Sequence, residues 1–267
     1  MDSGTANRKP MILSKKHTED RWIRAIKLSE TGLVRQENQD SVLVGSISGI
    51  YCVADGMGGG AEGARASAIV CEEVYRAASK VDGNFVAQME LIELGLQEAN
   101  AKIYNYAKAR DYRQMGSTAA VLAFDTPESG RAAVCYVGDT RVYRIRDGLA
   151  KQLTRDHTVG VELGALLSPK HADDMKERSH PLAHVLTRAI GTDRRTNPEW
   201  RKVDVMKGDR FMICSDGVHD VMSDALIGFL VGYGRLEDVK KRLAAAIVDK
   251  GAPDNYSFII LEVGANG

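Results

Sequence analysis

The stretch Ile50-Tyr51-Cys52-Val53-Ala54-Asp55-Gly56-Met57-Gly58-Gly59-Gly60 decides how this chain is read. An apolar run leads into a carboxylate, and four glycines then fill five positions. That pattern is a buried strand carrying Asp55 to its end, followed by backbone that must turn sharply or approach something closely. Ala61 to Lys80 reads as a helix, with Ile69, Val70, Val74, Ala77 and Ala78 on one side. Three more aspartates stand in comparable places: Val137-Gly138-Asp139, Cys214-Ser215-Asp216-Gly217 and Pro253-Asp254-Asn255. Asp40 is a fifth. One Asp-Gly pair usually marks only a turn or a cap. Several aspartates at strand ends, each beside Gly or Asn, are what a hard cation bound by carboxylates and carbonyls requires. Clustered carboxylates repel one another, so the cluster itself implies metal.

The 267 residues fit one domain, with two allowed by length alone. With 36 basic and 36 acidic residues the formal net charge is zero, which argues against a nucleic-acid or anionic-membrane surface. Cys52, Cys71, Cys135 and Cys214 are widely spaced, without a Cys-x-x-Cys pair. They read as buried free thiols in a reducing compartment, and a cytoplasmic location is expected. No apolar run approaches a membrane span, and Met1 to Asp20 is polar, read as a flexible extension preceding a domain at 21–267.

Strands are expected at Arg21–Ser29, Ser41–Val44, Ile50–Ala54, Gly116–Phe124, Ala132–Val137, Arg141–Arg146, Leu149–Leu153, Val203–Val205, Arg210–Cys214 and Ser257–Val263. Ser48-Gly49 and Asp147-Gly148 are hairpin turns. Phe85, Met89, Ile92, Leu96, Ala99, Ile103 and Tyr106 form a clean helical stripe of a core-facing helix; the repeat is too short for a coiled coil, and Gly95 interrupts it. Ala225–Leu230 and Leu236–Asp249 are further helices. Thr154 to Arg188 is polar, with short helical pieces at Val159–Leu167 and Ala172–Arg178, and reads as an insertion. Hairpins imply antiparallel sheets, and two helix pairs separated by strand runs imply helices packed outside two sheets.

The chemistry follows from the aspartates. Two Mg²⁺ or Mn²⁺ ions about 3.5–4 Å apart can share a carboxylate and a water that attacks phosphorus in line. Asp55 is the natural shared ligand, since Gly56 leaves its carbonyl free to join, and Asp216 and Asp254 complete one ion. Arg35, shortly before Asp40, offers a planar fork suited to a phosphate dianion. His157 and His219 have no partners at ligand spacing and read as structural or surface residues, while His180-Pro181 and His184 read as the place where the insertion rejoins the main body. The glycine loop lacks the Gly-Lys-[Ser/Thr] ending of a nucleotide-binding loop.

Eight blocks together resemble the metal-dependent protein phosphatases (PPM, type 2C) in their bacterial form. They are Gly32-Leu33-Val34-Arg35…Asn38-Gln39-Asp40, Ala54-Asp55-Gly56-Met57-Gly58-Gly59, Gly116-Ser117-Thr118, Val137-Gly138-Asp139-Thr140-Arg141, Thr154-Arg155-Asp156-His157, Leu186-Thr187-Arg188-Ala189-Ile190-Gly191, Cys214-Ser215-Asp216-Gly217 and Asp254-Asn255. Their order and spacing are specific, and the match runs from Arg21 to Val263. The resemblance implies an α+β fold, a central β-sandwich of two antiparallel sheets flanked by helices on both sides (four-layer αββα), with a small flap at about 159–180. It implies hydrolysis of phosphoserine and phosphothreonine by a metal-bridging water or hydroxide. Asp55 would bridge two Mn²⁺ or Mg²⁺ ions, Asp216 and Asp254 would complete the first, and the Gly56 carbonyl would join the second. Asp40 would hold second-metal waters, Asp139 with Asp216 would form a weaker third site, and Arg35 would bind phosphate. Phosphorylated proteins and an antagonist serine/threonine kinase are the implied partners, with the enzyme a monomer. Gln39 stands where many relatives have Glu, and Met57 where animal members have His, which removes the obvious general acid. The alternative is a catalytically weak pseudophosphatase that binds phosphoproteins; the intact Asp55, Asp139, Asp216 and Asp254 argue against it.

Overall fold

A computed structural model describes residues 22–46, 48–78, 84–112, 114–166 and 182–264. The expected N-terminal extension and the second helical piece of the insertion lie outside the described residues.

The strands are β1 (Ile23–Glu30), β2 (Asp40–Gly45), β3 (Ile50–Met57), β4 (Gly116–Ser117), β5 (Ala119–Phe124), β6 (Arg131–Val137), β7 (Arg141–Arg146), β8 (Leu149–Gln152), β9 (Glu199–Asp204), β10 (Arg210–Cys214) and β11 (Tyr256–Val263). The helices are α1 (Ala61–Ala78), α2 (Phe85–Ala109), α3 (Val159–Leu166), α4 (Asp216–His219), α5 (Asp224–Gly232) and α6 (Leu236–Asp249). One sheet has the order β1-β11-β10-β7-β8 and the other β2-β3-β5-β6-β9, with β4 paired to β3. Every strand pair is antiparallel.

Alternation along the strands builds three apolar layers. In β3, Tyr51 and Val53 face the other sheet, where they meet Phe211, Ile213, Ile259 and Leu261. Ile50, Cys52 and Ala54, on the opposite face of β3, pack under Val70 and Val74 of α1 and Ile92, Leu96 and Ile103 of α2. In β11 the opposite face carries Phe258 and Ile260 against Leu243 and Ile247 of α6. Both faces of the central strands are covered, so they read as continuous apolar runs although the sheets are antiparallel. Each such side chain, fully buried, contributes about 1.5–3 kcal/mol. The result is the expected four-layer αββα sandwich.

Gly95 serves helix packing: a Cβ there would lie 2.9 Å from the Glu73 carbonyl oxygen and 3.0 Å from Ala77 Cβ, so the glycine lets α1 and α2 approach. Two local readings are corrected. The expected strand Gly116–Phe124 breaks at Thr118, which turns to hold Asp55. The strand read at Val203–Val205 begins earlier, at Glu199, because β9 is a sheet edge and carries the charged residues that edges tolerate. The Asp147-Gly148 hairpin is as expected, with φ of 52° and 76°. Among the described residues no helix is long and apolar enough to cross a membrane.

Candidate active site

Antiparallel pairing brings one set of strand ends to one end of the sandwich. Asp40 opens β2 and stands opposite Asp55 of β3 across the ladder. Asp139 lies in the turn from β6 to β7, which crosses from one sheet to the other. Asp216 follows β10 and opens α4, and Asp254 directly precedes β11. The structure thus gathers all five aspartates at one end. Asp55, Gly56, Asp139, Asp216 and Asp254 line a cleft of about 530 Å³, with Arg35 at its rim.

Several backbone devices hold this wall. Thr118 donates its N–H to the Asp55 carbonyl (2.8 Å), and its Oγ1 accepts from the Asp55 N–H (3.1 Å). Ser117 Oγ donates to the same carbonyl (2.9 Å), and Thr140 Oγ1 lies 2.5 Å from Thr118 Oγ1. Gly138, at φ +96°, must be glycine, since a Cβ would meet the Thr118 side chain at 2.6 Å. Asn255 Oδ1 accepts from Gln39 N–H (2.9 Å), while its Nδ2 donates to the carbonyls of Thr31 (2.8 Å) and Glu37 (2.9 Å). One amide thereby ties the Arg35 loop to the residue after Asp254. Gly32 lets that loop pack closely, because a Cβ would sit 2.2 Å from the Asp254 carbonyl oxygen.

The two buried histidines serve the Asp139 turn. His157 Nδ1 accepts from Gly138 N–H (3.1 Å), and His219 Nε2 lies 3.1 Å from the Asp139 carbonyl oxygen. Burial pushes both imidazoles below their ordinary pKa. They are structural, as expected. His184, expected where the insertion rejoins the body, lines the cleft beside Leu186.

Among the described residues, only Asp254 of these five buried or half-buried carboxylates has an ion-pair partner. Burial, then the charge of the neighbouring aspartates, pushes Asp55 and Asp216 well above the usual range. Burial raises Asp40 to about 6, opposed by hydrogen bonds from Ser215 and Ser257. Ser215 Oγ donates to Asp40 Oδ2 (2.7 Å). Asp139 is raised to about 7, by burial and then by the charges of Asp156 and Asp220. Asp40 Oδ1 and Asp216 Oδ1 are buried without hydrogen-bond partners. Orphaned carboxylate oxygens beside mutually repelling carboxylates suit an oxygen-seeking dication. Among the described residues, no three acidic, histidine or cysteine side chains converge tightly enough to hold an ion alone. Mg²⁺ and Mn²⁺ sites with few carboxylates and several waters do not need such a cage. Arg35 is the exception to the missing compensation: its Nη2 lies 2.6 Å from Asp254 Oδ2, and the guanidinium remains largely exposed at the rim.

The model of the family described as protein phosphatase 2C matches residues 31–247. The chain belongs to the protein phosphatase 2C family. Within it, the chain is 28% identical over 243 residues to the serine/threonine protein phosphatase PstP of Mycobacterium tuberculosis. That match covers 90% of this chain but 45% of PstP, so the chain spans about half the length of this relative. The solved structure of PppA, a key regulatory component of T6SS in Pseudomonas aeruginosa, superposes with a TM-score of 0.80 at 29% identity, covering 90% of this chain and 97% of PppA. The catalytic domain of PstP in complex with two manganese ions gives a TM-score of 0.76 at 28% identity, covering 91% of this chain and 99% of that domain.

The motif blocks contain Thr118, Thr140, Ser215 and Asn255, but the sequence reading gave them no task. A small polar residue beside a strand-end aspartate was the available signal. The placement of His184 had no local signal, because it depends on how the chain returns from the insertion.

Proposed function

We propose that this chain is a metal-dependent protein serine/threonine phosphatase. The observation that carries the reading is the set of five aspartates from both sheets at one end of the sandwich, with two orphaned carboxylate oxygens and Arg35 at the rim. Family membership and the manganese-bound PstP domain support it.

The proposed ligands are Asp55, shared between two Mn²⁺ or Mg²⁺ ions, Asp216 and Asp254 at the first, and the Gly56 carbonyl with Asp40 through water at the second. Asp139 with Asp216 would serve a third, weaker site. The bound ions supply a nucleophilic water at neutral pH and neutralise charge on the phosphoryl group. The remaining work falls to the chain. Arg35, now paired with Asp254, turns its fork to the phosphate oxygens, a charge-assisted interaction that positions the ester. Thr118 and Ser117 fix the Asp55 backbone so that its carboxylate stays in the cleft. Asn255 fixes the Arg35 loop, so phosphate and carboxylates keep one spacing.

Substrates would be phosphoserine and phosphothreonine proteins made by an antagonist serine/threonine kinase, and residues 21–267 would form the catalytic domain, with the insertion as a flap beside the cleft. The test is hydrolysis of an aryl phosphate and a phosphothreonine peptide with and without Mn²⁺ or Mg²⁺, beside a chelator control. Ion-dependent turnover abolished by chelator is expected. A folded protein that turns over neither ester with any ion refutes the reading.

A further inference from the structure

A phosphomonoesterase must deal with two oxygens. The cleft carboxylates and Arg35 concern the attacking water and the phosphate. The other oxygen leaves as a serine or threonine alkoxide, about as basic as hydroxide. It needs a proton as the P–O bond breaks. Arg35 cannot give one, since guanidinium does not deprotonate in proteins. Met57, in the strand-end run beside Asp55, has no proton to give.

His184 is the one imidazole lining this cleft among the described residues. Its Nδ1 lies 3.5 Å from Asp220 Oδ2, and about half of its side chain is exposed. It also borders an adjoining cavity of about 190 Å³ behind Asp139, shared with Asp220, His219, Asp156 and Arg141. The segment holding it is anchored to the body on its far side. Thr158 and Leu186 form a β-bridge, Val159 N–H donates to the Val185 carbonyl (2.9 Å), and Thr187 N–H donates to the His157 carbonyl (2.8 Å). His157 in turn holds the Asp139 turn. His184 is thus held between the base of the insertion and the carboxylate wall. A carboxylate beside one imidazole nitrogen favours the protonated ring and orients it. Imidazole is the side chain whose ordinary pKa suits proton donation near neutral pH.

We propose that His184 is the general acid that protonates the serine or threonine oxygen as it leaves phosphorus, with Asp220 as its positioning residue. The inference rests on the phosphatase reading above. In the step, water oxygen bonds to phosphorus and the P–Oγ bond breaks, its electron pair staying on Oγ. Nε2–H of imidazolium His184 passes its proton to Oγ, giving the free hydroxyl. The proton lost from the attacking water returns through solvent to restore His184, and phosphate departs.

The test is the dependence on leaving group. The full chain and its His184→Gln and Asp220→Asn variants are assayed with Mn²⁺ on a phosphothreonine peptide and on p-nitrophenyl phosphate, whose leaving group needs no proton. For His184→Gln, the ratio of peptide kcat to aryl kcat falls by about 10²-fold. Asp220→Asn gives a smaller drop in the same ratio. Added imidazole restores part of the peptide turnover of a His184→Ala variant. Melting temperatures close to the parent's identify the effect as chemical, as expected for a half-exposed side chain. An equal loss on both esters, or no loss, overturns the assignment of His184 while leaving the phosphatase reading in place. Failure of the parent protein on both esters would remove that reading, and this role with it.

Discussion

Two groups of buried aspartates are treated in opposite ways. Asp156 lies under the Asp139 turn and receives two bonds from Arg141 Nε (3.0 Å each), one from Nη2 (2.5 Å) and one from Gln152 Nε2 (2.8 Å). Asp209 is paired with Arg146 through Nε (2.6 Å) and Nη2 (2.8 Å), and also accepts from Met206 N–H (2.9 Å). These two carboxylates carry their own counter-ions. Asp40 and Asp139 are likewise buried, Asp55 and Asp216 are half-buried at the cleft, and the four repel one another. The fold can supply arginines to buried carboxylates, and here it does not. The difference separates charge used to fix structure from charge left to receive a cation.

The largest expected effect comes from removing one carboxylate of each kind. Asp156→Ala strands a buried Arg141 and should cost about 3–5 kcal/mol of stability. Asp55→Asn in chelator relieves repulsion and should leave the melting temperature unchanged or higher, while abolishing ion-dependent turnover. Parallel melts of the two variants check this, and equal destabilisation would erase the distinction.

Next in size is the cation itself. At about 100 times its Kd an ion adds about 2.7 kcal/mol, or roughly 5 °C or more in melting temperature. The parent protein should show this gain with Mn²⁺, and Asp156 and Asp209 contribute nothing to it.

Acidity sharpens the comparison further. A carboxylate with a raised folded-state pKa binds protons more tightly folded than unfolded. Chelated protein should therefore lose stability as pH rises from the ordinary aspartate value of 3.8, through about 6 for Asp40 and about 7 for Asp139. Mn²⁺, which needs the ionised carboxylates, should restore stability above that window. Melts in chelator that stay flat or climb through the window would contradict the electrostatics.

Two smaller effects concern the supports. Thr118→Val removes the acceptor of the Asp55 N–H and should cost about 1–3 kcal/mol, with activity down about 10–100-fold. Arg35→Ala should scarcely change the melting temperature, because its pair with Asp254 is largely exposed. It should chiefly raise KM, and an unchanged KM would remove Arg35 from phosphate binding.

The contrast also explains what was legible in the sequence. Asp55, Asp139, Asp216 and Asp254 stand out because an apolar strand ends at or near each, beside a glycine or asparagine. Both facts are local. The central strands and α1, α2, α5 and α6 were legible for the same reason, through apolar runs and periodicity. The start of β9 was not, since Glu199-Trp200-Arg201-Lys202 has the charge of a loop and becomes a strand only by pairing with β6. α4 is a single turn, too short for periodicity. The packing task of Gly95 shows only once α1 is beside it. His184 and Asp220 are 36 residues apart and meet only when the chain closes around Asp139.

The most direct measurement is calorimetric titration of Mn²⁺ into chelator-stripped protein and its Asp55→Asn variant. The account predicts two ions bound by the parent, with binding lost in the variant. No binding by the folded parent, or binding unchanged in the variant, would contradict the claim that the unpaired aspartates form a cation site.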